Sequence, residues 1–112
     1  MDNKKDDAYY FLKVVEDINQ IKKYFNNASY EEFIADFVTV DAILFRLVQI
    51  AESLKQVSDN FKSEHQEIEW NDIIGLRNRL VHDYGSTDYS VVYTVVTEDL
   101  DKLSNLFEQY LK

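Results

Sequence analysis

Proline is absent from this chain of 112 residues, and only two of its residues are glycine. Proline and glycine are the residues that most often interrupt helices, so their scarcity favours long helices with few breaks. Hydrophobic residues make up 46% of the sequence, which is enough to build one core. The length suits a single domain, and we therefore expect one all-α domain spanning residues 1–112.

Charge and cysteine content exclude several kinds of function. The chain has 12 Lys+Arg against 21 Asp+Glu, for a net charge of -9. This acidity argues against non-specific nucleic-acid binding through a broad basic surface, although a small local site for a phosphodiester remains compatible with it. The lack of cysteine excludes a disulfide scaffold and a thiolate nucleophile. With His65 and His82 as the only imidazoles, we expect no metal site and no cofactor.

No targeting or membrane segment is visible in the sequence. The charged residues 1–7 lead into no apolar signal region. No apolar stretch approaches the roughly 20 residues that a bilayer-spanning helix needs. These features predict a soluble cytoplasmic protein that has no membrane partner.

Hydrophobic periodicity predicts four helices with short connections. They are expected at about residues 6–26, 29–57, 71–83 and 87–111. The first should end at Asn26, and the second should begin with the capping box of Ser29 and Glu32 and continue, with or without a bend. A polar loop with a short turn around Phe61 follows; it contains His65, to which we assign no role. The pattern predicts an antiparallel bundle of four helices, or up to five.

The predicted apolar face of the second helix carries two acidic residues. That face consists of Phe33, Phe37, Val40, Asp41, Leu44, Phe45, Val48, Ala51, Glu52 and Lys55. Asp41 and Glu52 lie eleven residues apart, close to three whole turns, and so share the face. The expected role is structural, an ion pair between helices with Arg46 and Arg79 as partners. Alternatively, one of the two acids orients an arginine across the bundle.

Arg, Asn, His and Tyr are concentrated in residues 70–85, a segment of zero formal charge, so the rest of the chain carries the whole -9. Arginine binds phosphate through a planar fork, and histidine transfers protons near neutral pH. Asn78 and His82 lie four residues apart and share a helix face. Arg77 and His82 are roughly 140° apart, so they converge only if the helix end distorts or a second copy supplies the partner. Alternatively, these cations merely stabilise the last helical turn.

The run from Arg77 to Tyr84 matches the pattern R-x-x-x-x-H-x-Y and resembles the signature of HepT-like proteins in the HEPN superfamily. Further segments resemble blocks of that family in the family's order, and together they cover most of residues 6–111. These segments are 33–36, 41–46, 50–52, 67–70 and 73–78. Two departures lie outside the motif: no proline precedes Trp70, and Ala51 stands where the family usually has glycine.

The resemblance implies a HEPN-type helical bundle that forms a homodimer through its motif-bearing region. It also implies the toxin of a toxin–antitoxin pair, a metal-independent endoribonuclease acting on RNA. The catalytic residues would be Arg77 on the phosphate, His82 in proton transfer and Asn78 orienting His82 or the substrate. The implied partner is an MntA-type nucleotidyltransferase that silences the toxin by transferring AMP to Tyr84.

Two other functions remain open at this point. The chain could be a non-catalytic module that binds nucleotide and associates with a nucleotidyltransferase, and a net charge of -9 suits a protein partner better than bulk RNA. It could also be a scaffold that retains only the fold, although the intact Arg77, His82 and Tyr84 argue against this.

Overall fold

Asp6 begins the first helix, because its carboxylate accepts a hydrogen bond from the Tyr9 backbone N–H at 3.0 Å. A computed structural model describes residues 6–82 and 89–112, and every element within those ranges is helical. The elements are α1 (Asp7–Phe25), α2 (Tyr30–Ala35), α3 (Phe37–Gln56), α4 (Asp59–Glu64), α5 (Trp70–His82), α6 (Tyr89–Thr94), a π-helical turn (Val95–Asp99) and α7 (Leu100–Tyr110). The predicted all-α class is confirmed, and the helix α4 occupies the place where a short turn around Phe61 was expected.

The membrane question has a direct answer for the described ranges. Across residues 6–82 and 89–112, none of the helices combines the length and the apolar character that crossing a bilayer requires.

Contacts between helix ends show that α1 runs antiparallel to α3 and to α7. Ser58 follows α3 and donates its backbone N–H to the carboxylate of Asp7, at the start of α1, over 2.9 Å. Near the other end of α1, Lys22 pairs with Asp101 in the first turn of α7 at 3.0 Å. These two contacts fix α1 against both neighbours at opposite ends.

Helix α5 starts beside the end of α3 and packs back along it. The ring of Trp70 lies 6.2 Å from that of Phe61 and 6.1 Å from that of Phe107. We call this end of the bundle the aromatic pole; it is formed by Phe11, Phe61, Trp70, Phe107 and Tyr110. The opposite end, where α5 finishes and α6 packs against α2, is called the motif pole.

The second predicted helix is in fact two helices separated at Asp36. The capping box is confirmed, since Glu32 N–H donates to the Ser29 hydroxyl and Ser29 N–H donates to the Glu32 carboxylate. Asp36 leaves the helical region with φ -108° and ψ 87°. Its carboxylate then accepts from the Thr39 backbone N–H at 3.1 Å and begins α3. The break resets the helical phase, so a face counted from Phe33 does not continue into α3.

The predicted apolar face of α3 is confirmed at Val40 and Ala51, which are buried, and at Leu44, which packs against the core, but not at its other positions named below. The side chains that α3 buries are Val40, Ile43, Leu47, Ile50, Ala51, Ser53 and Leu54. Phe37 and Phe45 are exposed, as are Asp41 and Glu52. Of the two expected cationic partners, Arg46 instead binds Asp17 of α1, and the side chain of Arg79 is not among the described ones. Glu52 lies 3.5 Å from Lys55 on its own helix.

The fourth predicted helix is confirmed as helix, with one local irregularity. Its β-branched start does not form a strand, and it continues through the π-helical turn into α7. Within that turn the Leu100 N–H donates to the Val95 carbonyl, five residues back. The Thr97 hydroxyl also donates to the Tyr93 carbonyl at 2.8 Å, a side-chain bond that accompanies the wider turn.

Candidate functional site

Helix α5 carries the sequence motif, and its start is well anchored. Trp70 is buried, and its indole N–H donates to the His65 carbonyl at 2.9 Å. The helix begins at Trp70, one residue earlier than predicted, and is described as far as His82, so the predicted end at residue 83 lies outside the described residues. An anchored start fixes the direction in which the motif end of α5 projects.

The motif residues stand on the last two turns of α5. Arg77, Asn78 and His82 are all helical, and the side chain of Asn78 is exposed. The side chains of Arg77 and His82 are not among the described ones, and Tyr84 lies outside the described residues. Because α5 stays helical through His82, the backbone positions of Arg77 and His82 lie roughly 140° apart around its axis.

A groove runs toward the motif pole between α5 on one side and α6 with the π-helical turn on the other. Its cavity of about 310 Å³ is lined by Asp72 of α5, by Ser90 and Thr94 of α6, and by Asp99 at the π-helical turn. Burial raises the pKa of Asp99, the nearby negative charges of Glu98, Asp72 and Glu69 raise it further, and Lys102 opposes the shift. The Asp99 carboxyl therefore keeps its proton to a higher pH than a solvated aspartate does.

A second cavity at the motif pole is acidic. It measures about 250 Å³, and its lining includes Tyr24, Glu32, Asp36 and Thr39. The hydrogen bond from the Ser29 backbone lowers the pKa of Glu32, and the one from the Thr39 side chain lowers the pKa of Asp36. Both carboxylates thus keep their negative charge well into the acid range. This cavity would therefore repel an anionic group.

An ion pair fixes α1 against α3 near this pole. Arg46 Nη1 donates to Asp17 Oδ1 at 2.9 Å, and Arg46 Nη2 donates to the Tyr24 hydroxyl at 3.4 Å. The bonds to Tyr24 and Asp17 raise the pKa of Arg46, so the guanidinium stays charged. Asp17 is only 6% exposed, and its Oδ2 has no hydrogen-bond partner among the described residues. The pair therefore holds a carboxylate in the core.

Asp17, Asp99 and His65 are the residues that the sequence reasoning missed. Asp17 is polar on an apolar helix face, and this was the one available signal for it. Asp99 and His65 carry no such signal, because their surroundings come from residues distant in sequence. Among the described residues, no three His, Cys, Asp or Glu side chains gather closely enough to hold a metal ion.

Comparison with known proteins places the chain in one family. The family model described as "Ribonuclease HepT-like" matches residues 14–110. A protein of Thermococcus cleftensis named "Probable ribonuclease HepT" is 31% identical over 103 residues, which cover 92% of this chain and 94% of that protein. A Methanocaldococcus jannaschii protein named "Putative RNase MJ1380" is 26% identical over 106 residues, covering 95% and 97%.

One further relative is named for two activities, and this chain matches about half of its length. The M. jannaschii protein named "Gamma-glutamylcyclotransferase and putative RNase MJ0434" is 27% identical over 109 residues, which cover 97% of this chain but 48% of that protein. No solved structure gives a significant match. The family match covers all of α3, α5 and α7, including the motif of α5. The chain therefore belongs to the HepT-like ribonuclease family.

Proposed function

We propose that the chain is a metal-independent endoribonuclease and the toxin of a toxin–antitoxin pair. The observation that carries this proposal is the R-x-x-x-x-H motif, which occupies the last two turns of α5 in a chain of the HepT-like ribonuclease family. The names of its relatives as ribonucleases support the activity. The antitoxin is an MntA-type nucleotidyltransferase, as the resemblance of the motif implies.

The proposed chemistry needs three roles and the motif offers a residue for each. His82 transfers the proton to or from the reacting oxygens, which are the attacking 2′-hydroxyl and the leaving 5′-oxygen. Arg77 binds the phosphate and stabilises the charge that develops on it. Asn78 lies one turn before His82 on the same face and orients it or the substrate. One His82 per copy provides one proton carrier, so acid and base come from two copies.

The need for two copies agrees with the surface of α3. Phe37, Val38 and Phe45 are 71%, 81% and 58% exposed, although all three are large and apolar. Such a cluster on one helix is typical of a protein interface. Because α3 begins at the motif pole and packs on α5, a second copy seated on this face lies near both motif ends. We therefore assign the homodimer interface to this exposed face of α3.

The Phe45→Glu substitution should convert the dimer to a monomer and abolish RNA cleavage, since it places a charge in an apolar contact. Analytical ultracentrifugation gives the mass, and gel analysis of a labelled RNA gives the activity. The matched control is Leu12→Glu on α1, where the apolar side chain is 51% exposed. Leu12 lies roughly 140° around α1 from Asp17, which faces α3, so this variant should remain dimeric and active. A wild-type chain that is monomeric, or a dimeric Phe45→Glu variant, would contradict the assignment.

Expression of the chain alone should arrest growth and degrade RNA, and co-expression of the adjacent nucleotidyltransferase gene should relieve the arrest. An AMP on Tyr84 adds at least one negative charge and a bulky nucleoside two residues from His82, so it would repel and block an RNA phosphate. The Tyr84→Phe variant should therefore stay toxic in the presence of the partner. Mass spectrometry of the co-expressed wild-type chain should find the adenylate on Tyr84.

Two outcomes count against this proposal. A co-expressed wild-type chain that carries no adenylate on Tyr84 contradicts the silencing mechanism. A chain that never arrests growth, alone or with its neighbour, favours instead the non-catalytic module that associates with a nucleotidyltransferase.

A further inference from the structure

A groove runs along α7, where this helix faces the segment that joins α4 to α5. Its cavity measures about 460 Å³, within the roughly 300–1,000 Å³ of pockets that bind ligands in proteins. Ile68 and Leu106 line it and are only 5% and 8% exposed, so they form its apolar bottom. We call it the α7 groove; its other lining residues are His65, Glu67, Lys102, Asn105 and Gln109. An apolar bottom of this kind suits an apolar group from outside the chain.

One wall of the α7 groove is held in place by contacts within the chain. The imidazole of His65 has its Nδ1 3.4 Å from Glu67 Oε2 and its Nε2 3.0 Å from the hydroxyl of Tyr110. The ring also lies against that of Phe61, with centroids 4.4 Å apart, and the His65 carbonyl accepts the indole N–H of Trp70 at 2.9 Å. A wall that is already fixed loses little conformational freedom when a ligand binds, which favours affinity.

The rim of the α7 groove carries two carboxamide side chains. Asn105 and Gln109 are exposed and lie four residues apart on α7, so both project from the same face of the helix. A carboxamide both donates and accepts hydrogen bonds, and so does the backbone of a polypeptide. The rim therefore suits a polypeptide segment that crosses the groove and places one side chain against its bottom.

The charges around the α7 groove are mostly negative. Residues 59–69, which form α4 and one side of the groove, contain four carboxylates and one lysine, and Glu67 lines the groove itself. Lys102 is the one cation among the described lining residues, and it interacts electrostatically with Asp99, which also feels the nearby carboxylate of Glu69. A negative surface of this kind attracts basic groups and repels the phosphates of RNA.

We propose that the α7 groove is a docking site for a protein partner that presents an apolar side chain between lysine or arginine residues. The apolar side chain covers Ile68 and Leu106, and the flanking cations face Glu67 and the neighbouring carboxylates. A second copy of this chain complements the groove poorly, because its net charge of -9 is also negative. The groove lies on α7, whereas the proposed dimer face lies on α3, and the proposal does not rest on RNA cleavage.

The test uses two peptides that carry the same dye, acetyl-KKLKK-amide and acetyl-KKSKK-amide, and measures their affinity for the purified full chain by fluorescence anisotropy. The leucine peptide should bind at least about tenfold more tightly than the serine peptide, because its leucine side chain leaves water for the bottom of the groove. Added salt should weaken the binding of both, since the flanking charges are exposed. Equal affinities of the two peptides would mean attraction between charges alone and would overturn the proposal.

Two pairs of variants locate the binding on the α7 groove. Asn105→Arg places a long cation on its rim and should weaken binding of the leucine peptide at least about tenfold. Asn19→Arg makes the same substitution at an exposed position of α1 and should bind like the wild-type chain. Circular dichroism should show the same helix content for both, because both positions are exposed. Equal affinities of these two variants would place the peptide elsewhere and contradict the proposal.

The second pair tests the charge of the rim. Glu67→Gln removes an exposed carboxylate that lines the groove and should weaken binding of the leucine peptide about twofold to fivefold. Glu64→Gln changes the net charge equally at an exposed position that does not line the groove, and it should have the smaller effect. If Glu64→Gln weakens binding as much as Glu67→Gln does, the peptide recognises only the overall acidity of the chain, and the docking site is refuted.

Discussion

The His82→Ala variant should cleave RNA about 10²–10⁴-fold more slowly than the wild-type chain, because it lacks the proposed proton carrier. His82 is the last residue of α5, after the anchored start at Trp70 and the buried Ile73 and Leu76. Removing its side chain should therefore leave the helix and the proposed dimer in place. Initial rates on a labelled RNA at saturating enzyme measure the loss.

The control for this experiment is a substitution at the same pole of the bundle. Lys23 is an exposed residue in the last turn of α1, and Lys23→Ala should cleave RNA at the wild-type rate. Circular dichroism and sedimentation should show the same helix content and mass for both variants. A folded His82→Ala dimer that cleaves at the wild-type rate would exclude His82 as the proton carrier.

The Arg46→Ala variant should lose about 2–4 kcal/mol of the free energy of unfolding. The wild-type Arg46 guanidinium binds Asp17 Oδ1 at 2.9 Å and the Tyr24 hydroxyl at 3.4 Å. Without it, the Asp17 carboxylate stays buried with neither oxygen paired to a cation, and an unpaired buried charge is costly. Because the Arg46 side chain is itself 32% exposed, water can reach part of the gap, which keeps the loss below the largest values known for buried pairs.

Two controls separate the buried charge from the loss of packing. The Lys55→Ala variant removes an exposed partner of Glu52 and should cost less than about 1 kcal/mol. The double variant Asp17→Leu/Arg46→Met replaces the pair with apolar side chains and should recover most of the stability. Urea unfolding followed by circular dichroism gives the three values. An Arg46→Ala variant as stable as Lys55→Ala would show that the pair contributes little.

Local signals in the sequence predicted the helix ends well. The capping box of Ser29 and Glu32 and the stop at Asn26 depend on residues within four positions of each other, and both are confirmed. Asn26 and Asn27 adopt positive φ values of 48° and 55°, which asparagine tolerates better than most residues. Short-range chemistry of this kind can be deduced without the fold.

Longer-range features were not predictable in the same way. One helix ends and another begins at Asp36. Apolar residues keep a helical spacing on both sides of this position, so hydrophobic periodicity alone does not reveal the break. Arg46 lies closer in sequence to Asp41 and Glu52 than to Asp17, which is 29 residues away and is brought to it only by the packing of α1 on α3. His65 meets Tyr110 across 45 residues for the same reason.

The candidate site was predicted in its residue types and its helical context. The helical placement of Arg77, Asn78 and His82 is confirmed, and their catalytic roles and the modification of Tyr84 stay predictions. The groove with Asp99 was missed, because its protonation depends on the burial that α5 and the π-helical turn provide together. The sequence placed Phe37 and Phe45 on the apolar face of the second predicted helix, but it did not reveal that both side chains are exposed.

The central claim is that a histidine and an arginine of this chain cleave RNA through attack by a 2′-hydroxyl. The most direct measurement incubates the purified wild-type chain with a labelled RNA in the presence of a chelator, beside the same oligonucleotide with 2′-deoxy sugars. We expect cleavage of the RNA to fragments that end in a 2′,3′-cyclic phosphate, and no cleavage of the deoxy strand. An intact RNA under these conditions, or equal cleavage of both strands, would contradict the account.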